Sequence, residues 1–218
     1  MITVVNRNSV MVVYSDATNP IDHSVRIVLA EKDINAEVHF VEPANVPREL
    51  SELNPYNTSL TLVDRDLVLY DAQIIMEYLD ERYPHPPLMP VDPAARAANR
   101  LFRYRVERDA YSLLPAFSGN DEIAAASARK SMRDQMTAIA PAFAQMPYFM
   151  SEEYSLVDCW LAPLLWRLEY YGVKLPPSAK PLSNYASKLF ERNSFVQSLS
   201  DDERELKPVA TTRSRRKK

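Results

Sequence analysis

The sequence predicts an α/β domain followed by an all-α domain. Three observations carry that prediction. Strand-like and helix-like segments alternate from the start, the strand signal disappears from Pro93 onward, and a rigid run separates the two regimes. In that run, Tyr83-Pro84-His85-Pro86-Pro87-Leu88-Met89-Pro90, four prolines fall within seven residues. They cannot continue a helix, and they hold the backbone extended.

The elements follow in order. Ser9-Val10-Met11-Val12-Val13-Tyr14 is apolar and β-branched and reads as a buried strand. Val25, Val28 and Leu29 recur at helical spacing between Val25 and Lys32. Ala36-Glu37-Val38-His39-Phe40-Val41 alternates as a second strand. Strand, helix and strand imply a parallel pair with a right-handed crossover. Pro43 and Pro47 then break the chain, and Arg48 to Leu53 reads as a short helix. Thr61-Leu62-Val63 and Leu67-Val68-Leu69-Tyr70 flank Asp64-Arg65-Asp66 as a hairpin. Asp71 can N-cap a helix whose apolar face is Ile74, Ile75, Tyr78 and Leu79. The order βαβ then ββα is that of a thioredoxin-like domain.

Beyond Pro93 the expected elements are helices. One runs from Pro93 to Leu114, opened by a proline suited to a first turn. A second spans Asp121 to Phe143, with Met132, Met136, Ile139 and Phe143 on one face. A third, Ser155 to Tyr171, stacks Leu156, Trp160, Leu164 and Leu168 and belongs at the centre of a bundle. Pro163 predicts a kink in it. Tyr185, Leu189, Phe195 and Leu199 extend a last helical region.

Composition excludes several functions. With 218 residues and 46% hydrophobic content, the chain can bury a sizeable core. Its two glycines, Gly119 and Gly172, cannot build a phosphate-cradling loop, which argues against P-loop and dinucleotide-binding chemistry. The single Cys159 excludes an internal disulfide and a cysteine-based metal site, and fits a reducing compartment. No apolar run is long enough for a bilayer and no leader pattern opens the chain, so a cytoplasmic protein without membrane contact is expected. The net charge of −3 is uneven: six bases fall in 207–218, leaving 20 basic against 29 acidic residues, or about −9, in the body. The tail, 206–218, reads as basic, solvated and disordered. It offers at most weak DNA contact, and the acidic body argues against broad nucleic-acid binding.

Ser155-Leu156-Val157-Asp158 is a capping box, in which Ser155 accepts from the Asp158 N–H and the Asp158 carboxylate reaches back to the Ser155 N–H. It is a folding signal. With the thioredoxin-like half, the proline-rich joint and the all-α half, it resembles the glutathione transferase superfamily over residues 9 to about 205. More narrowly, Val25–Lys32, Ile74–Arg82, Pro84–Pro90, Ser155–Cys159 and Leu161–Leu168 resemble the stringent starvation protein A family, in long ungapped blocks. The resemblance implies a glutathione transferase fold, with a thioredoxin-like domain over 9–87 and an all-α domain over 92–205. It also implies a homodimer and a non-enzymatic bacterial regulator that binds RNA polymerase holoenzyme and its sigma factor under starvation or stress.

The transferase site itself departs from the superfamily's pattern. Such enzymes activate a thiolate with a Tyr, Ser or Cys near the first helix. Tyr14, Ser15 and Ser24 are the chemically suitable residues here, while Asp22 and His23 stand about where the activating group should sit. Leu60 replaces the superfamily's cis-proline, and a cis bond before Leu would cost about 3 kcal/mol, so a trans, reshaped loop is expected. Asp71-Ala72 replaces a Glu/Gln-Ser pair, so one hydroxyl is missing. Residual glutathione binding through Asp71 is the most this pattern leaves, and no cofactor is expected. A glutathione-dependent transferase or reductase stays as the alternative, as does a dimeric stress protein without polymerase contact.

The remaining candidates have plain readings. Cys159 sits in an apolar helix and reads as an inert core thiol. His39 reads as structural, and His23 as a helix cap or a solvated group. Three dispersed histidines and one cysteine offer no metal-ligand spacing. Tyr83, Pro84, His85, Pro86, Pro87 and Leu88 carry more chemistry than a bare joint needs: stacking, hydrogen bonding and apolar area on a preordered frame. By resemblance, this is the surface the family presents to polymerase and sigma factor.

Overall fold

The structure is a computed structural model describing residues 10–206; the basic run 207–218 lies outside the described residues. Strand β1 (Met11–Ser15) buries Met11, Val13 and Ser15 on one face and leaves Val12 and Tyr14 half-exposed on the other. Helix α1 (Pro20–Glu31) starts at Pro20 rather than Val25. Asn19 accepts the Ile21 N–H at 2.8 Å, and Pro20 fits the first turn. Strand β2 (Ala36–Phe40) pairs parallel with β1, as the crossover rule requires, and forms a sheet edge exposed from Glu37 to Phe40. Helix α2 (Arg48–Leu53) follows. Strands β3 (Thr61–Asp64) and β4 (Leu67–Leu69) form the antiparallel hairpin, giving the order β2-β1-β3-β4. Helix α3 (Ala72–Arg82) is capped by Asp71, whose carboxylate accepts the Ile74 N–H at 3.0 Å. Its buried face is Ile75, Met76, Leu79 and Asp80; Ile74, expected on that face, is 57% exposed.

Helix α4 (Pro93–Asp109) is capped by Asp92 and stops short of Leu114. Pro115 has no N–H for the carbonyl four residues back. The chain tightens into a 3-10 turn at Tyr111–Leu113 before α5 (Leu114–Ser118). The turn points Tyr111 inward, where its hydroxyl donates to the Trp160 carbonyl at 2.8 Å. Proline has the same effect on α6 (Glu122–Ile139), expected to reach Phe143. Pro141 cannot donate, the Ala140 N–H turns to the Thr137 carbonyl, and 140–144 becomes a 3-10 helix. Met132, Met136 and Phe143 are buried.

Helix α7 (Leu156–Trp166) is the centre of the helical half, with Leu156, Trp160 and Leu164 at most 1% exposed. It ends before Tyr171. The segment beyond it turns at Gly172, whose φ of 75° suits a residue without a β-carbon, and the Val173 N–H returns to the Leu168 carbonyl at 2.8 Å. Helices α8 (Lys180–Phe190), α9 (Asn193–Ser198) and α10 (Asp201–Glu205) complete the fold.

The capping box opening α7 reaches further than its own helix. The Asp158 carboxylate accepts from the Ser155 N–H at 2.8 Å, from the Phe149 N–H at 2.9 Å and from the Tyr185 hydroxyl at 2.6 Å. The Ser155 hydroxyl accepts the Val157 N–H at 3.3 Å. One buried carboxylate therefore ties α7 to α8 and to the turn before Ser151. Burial pushes its pKa up, against the pull of these donors. Asp158→Ala removes a cap and strands buried donors, so an unfolding free energy lower by about 2–4 kcal/mol is expected in denaturant titration.

Candidate functional site

The proline segment leaves α3 at Arg82 and crosses to the helical half. Pro84, His85, Pro86 and Pro87 are exposed, Tyr83 is half-exposed, and the His85–Pro86 peptide is cis. Leu88, expected to offer apolar area to a partner, is only 2% exposed. Its main chain is used at both ends: the N–H donates to Asp80 at 2.8 Å, and the carbonyl accepts the Leu156 N–H at 2.9 Å. Leu88 thus fastens the segment to α3 and to α7, so the exposed surface is Tyr83–Pro87.

The segment is held from beneath by Lys32, just past the end of α1. The Lys32 side chain is fully buried. Its ammonium donates to the Tyr83 carbonyl at 2.6 Å and the Pro86 carbonyl at 2.7 Å, and pairs with the Asp80 carboxylate at 2.7 Å. An ammonium has three N–H donors, and all three have partners here. The two carbonyls flank His85. One buried cation therefore fixes the backbone on either side of the exposed imidazole. The sequence reading did not single out Lys32 or Asp80. The available signal was that Asp80 follows Met76 by four places, which puts a carboxylate on the apolar face of α3.

The residues that the resemblance places at a transferase site lie around β1, the start of α1 and the start of α3. Ser15 is fully buried; its hydroxyl donates to the Asp16 carbonyl at 3.1 Å and accepts from Arg26. Tyr14 lies on the opposite face of β1, its ring 5.6 Å from the exposed His39. Leu60 is buried and the Ser59–Leu60 peptide is trans. Asp71 spends its carboxylate on the α3 cap, and Ala72 is buried. Asp22 accepts the Asp16 N–H at 2.6 Å and the Ser59 hydroxyl at 2.9 Å. Burial raises its pKa to about 6.

His23 is not a cap or a solvated group. It lies inside α1, fully buried, with Nε2 2.9 Å from the Ser198 hydroxyl and Nδ1 3.3 Å from Arg167. Burial, then the charges of Arg26 and Arg167, hold its pKa well below the ordinary value, so the ring is neutral. Both arginines converge on Glu203 of α10, itself fully buried; the Arg26 contact is 2.6 Å. Trp166 donates its indole N–H to the Glu203 carbonyl at 3.0 Å. Cys159 is buried beside the Tyr154 hydroxyl, and burial pushes its thiol pKa up, away from thiolate chemistry. Among the described residues no group of three His, Cys, Asp or Glu is placed to hold a metal, and no helix is long and apolar enough to cross a membrane.

This geometry defines a two-domain glutathione S-transferase fold. Residues 19–87 match the glutathione S-transferase N-terminal domain family and residues 92–193 the C-terminal domain family. The chain is 52% identical over 200 residues to a stringent starvation protein A homolog of Pasteurella multocida, covering 91% of this chain and 94% of that one. It is 46% identical to a homolog of the same name from Coxiella burnetii, covering 93% and 98%. Among solved structures, the Tau class glutathione S-transferase of mango superposes with a TM-score of 0.79 at 20% identity, over 92% of this chain and 96% of that one. The chain belongs to the stringent starvation protein A family.

Two outcomes follow from the buried charges. Lys32→Met leaves the Asp80 carboxylate with the Leu88 N–H as its one remaining donor here, so a loss of about 3–5 kcal/mol is expected. A Lys32→Met, Asp80→Leu pair should recover most of it in a double-mutant cycle read by chemical unfolding. For Asp22, a folded pKa above the unfolded one means that the native state binds more protons between about pH 4 and 6. Stability from this group is therefore present at the acid end and falls as pH rises through that window. The slope should disappear in Asp22→Asn, measured as unfolding free energy against pH.

Proposed function

We propose that this protein is a non-enzymatic, cytoplasmic, homodimeric regulator that binds bacterial RNA polymerase and its sigma factor through Tyr83–Pro87 under starvation or stress. The observation that carries the reading is the Lys32 clamp, which holds exposed His85 between two fixed carbonyls on a preordered proline frame. A partner meeting such a surface does not have to order it first. Family membership supplies the class of partner. The buried, bonded hydroxyl of Ser15, the lack of one at Leu60 and Ala72, and the placing of Tyr14 on the opposite face of β1 favour a reading without thiol-transfer chemistry, which needs a hydroxyl or thiol beside the thiolate.

Regulation on this reading is a matter of coupled binding energies. The protein bridges polymerase and sigma and thereby alters promoter choice, with no bond made or broken. The acidic body favours basic partner surfaces and opposes direct DNA contact. Exposed Ile74 of α3 and Leu101 and Tyr104 of α4 supply apolar surface for the second copy.

Co-purification with polymerase holoenzyme tests the reading. The native chain should be retained, and a His85→Ala, Pro86→Ala variant of equal thermal stability should be lost. Equal retention of both, or no retention of either, contradicts the assignment. Retention on immobilised glutathione together with turnover of an electrophilic aromatic substrate would replace it with the enzyme reading.

A further inference from the structure

We infer that a notch beside the proline segment receives one apolar side chain carried on a basic segment of a protein partner. The inference rests on the reading of Tyr83–Pro87 as a partner surface, and adds the chemistry of what meets it.

The notch has a volume of about 180 Å3 and lies between the proline segment, the first turns of α4 and the turn at Tyr148–Ser151. Pro87, Pro90, Ala98, Phe102, Phe149 and Met150 give it apolar walls. Its size suits one large side chain and not a helix. Pro87 belongs both to the notch and to the exposed run, so a partner covering His85 reaches the notch without a gap.

One wall is built under strain. Met150 is a non-glycine residue with φ of 49°, a region that side-chain-bearing residues seldom occupy, and it is 56% exposed. The turn is fixed by the Tyr148 N–H donating to the Ser151 carbonyl at 3.2 Å and the Phe149 N–H donating to Asp158 at 2.9 Å. The buried capping carboxylate of α7 thus holds a thioether out at the notch. Methionine is unbranched and polarizable, and adapts its shape to an apolar guest.

Charge selects the partner. Among the described residues, Glu153 is the one charged residue lining the notch. Glu152, its neighbour in the chain, and Asp92 at the start of α4 are also exposed. None of these three acids takes part in an ion pair among the described residues. An apolar floor with acids that have no ion-pair partner among the described residues beside it attracts a side chain flanked by Lys or Arg and repels one flanked by Asp or Glu.

The test is a methyl NMR titration of the full chain with a short synthetic peptide carrying one leucine flanked by lysines. Saturable shifts at the Ala98 and Met150 methyls are expected. They should weaken about tenfold with leucine replaced by alanine or with Glu153→Lys, weaken with salt, and vanish with Ala98→Trp. Absence of shifts at these methyls, or equal shifts from a glutamate-flanked peptide, would overturn the inference. So would shifts that track protein concentration without peptide, which assign the notch to a second copy. Occupancy that ends on truncation after Leu206 would assign it to the chain's own basic run. Polymerase binding that needs His85 but survives Ala98→Trp and Glu153→Lys overturns the notch alone. Peptide entry without polymerase binding overturns the functional reading alone.

Discussion

The buried ammonium of Lys32 is the contact on which the exposed proline surface depends. Four prolines restrict the segment after α3, but restriction alone does not choose where the segment sits. Lys32 makes that choice by taking the carbonyls of Tyr83 and Pro86 and the carboxylate of Asp80. A charge removed from water is costly unless every donor is satisfied. Here the satisfying groups are the proline segment itself and the helix before it, so the surface and the core share one set of bonds. Leu88 completes the arrangement by joining Asp80 to the first residue of α7.

The same logic explains how the start of α1 is held against the helical half. The fold needs the start of α1 packed against the helical half. In this chain that packing is polar: Arg26 and Arg167 meet Glu203, His23 meets Ser198, and Ser200 donates to the Ala17 carbonyl at 2.6 Å. These bonds close α10 against the start of α1, and Arg26 also donates to the Ser15 hydroxyl. A buried network of this kind contributes specificity of packing more than net stability, because the desolvation of each ion offsets much of its attraction.

Much of the fold was legible in sequence because it rests on local rules. Apolar periodicity located the strands and the central helix, Asp71 and Ser155 announced their caps, and the proline run marked the joint. Errors came where apolar periodicity met a second rule, local or tertiary. Pro115 and Pro141 ended helices that periodicity carried onward, and Ile74 kept helical spacing while facing solvent. At the site, the exposed residues were readable by type, but Leu88 was not, because its burial depends on Asp80 and Leu156. Lys32, Glu203 and the arginines were hidden for the same reason. A buried charge looks like a solvated one until its partner, up to 177 residues away for Arg26 and Glu203, is placed beside it.

The most direct measurement separates the clamp from the stability it supplies. The Lys32→Met, Asp80→Leu chain lacks the buried cation and its counter-charge while keeping Tyr83, His85 and every proline. Its affinity for polymerase holoenzyme should fall by about tenfold or more, with Leu88 amide exchange accelerated and the fold retained. Undiminished affinity in a chain with an unprotected Leu88 amide would contradict the claim that a preordered proline segment carries the function.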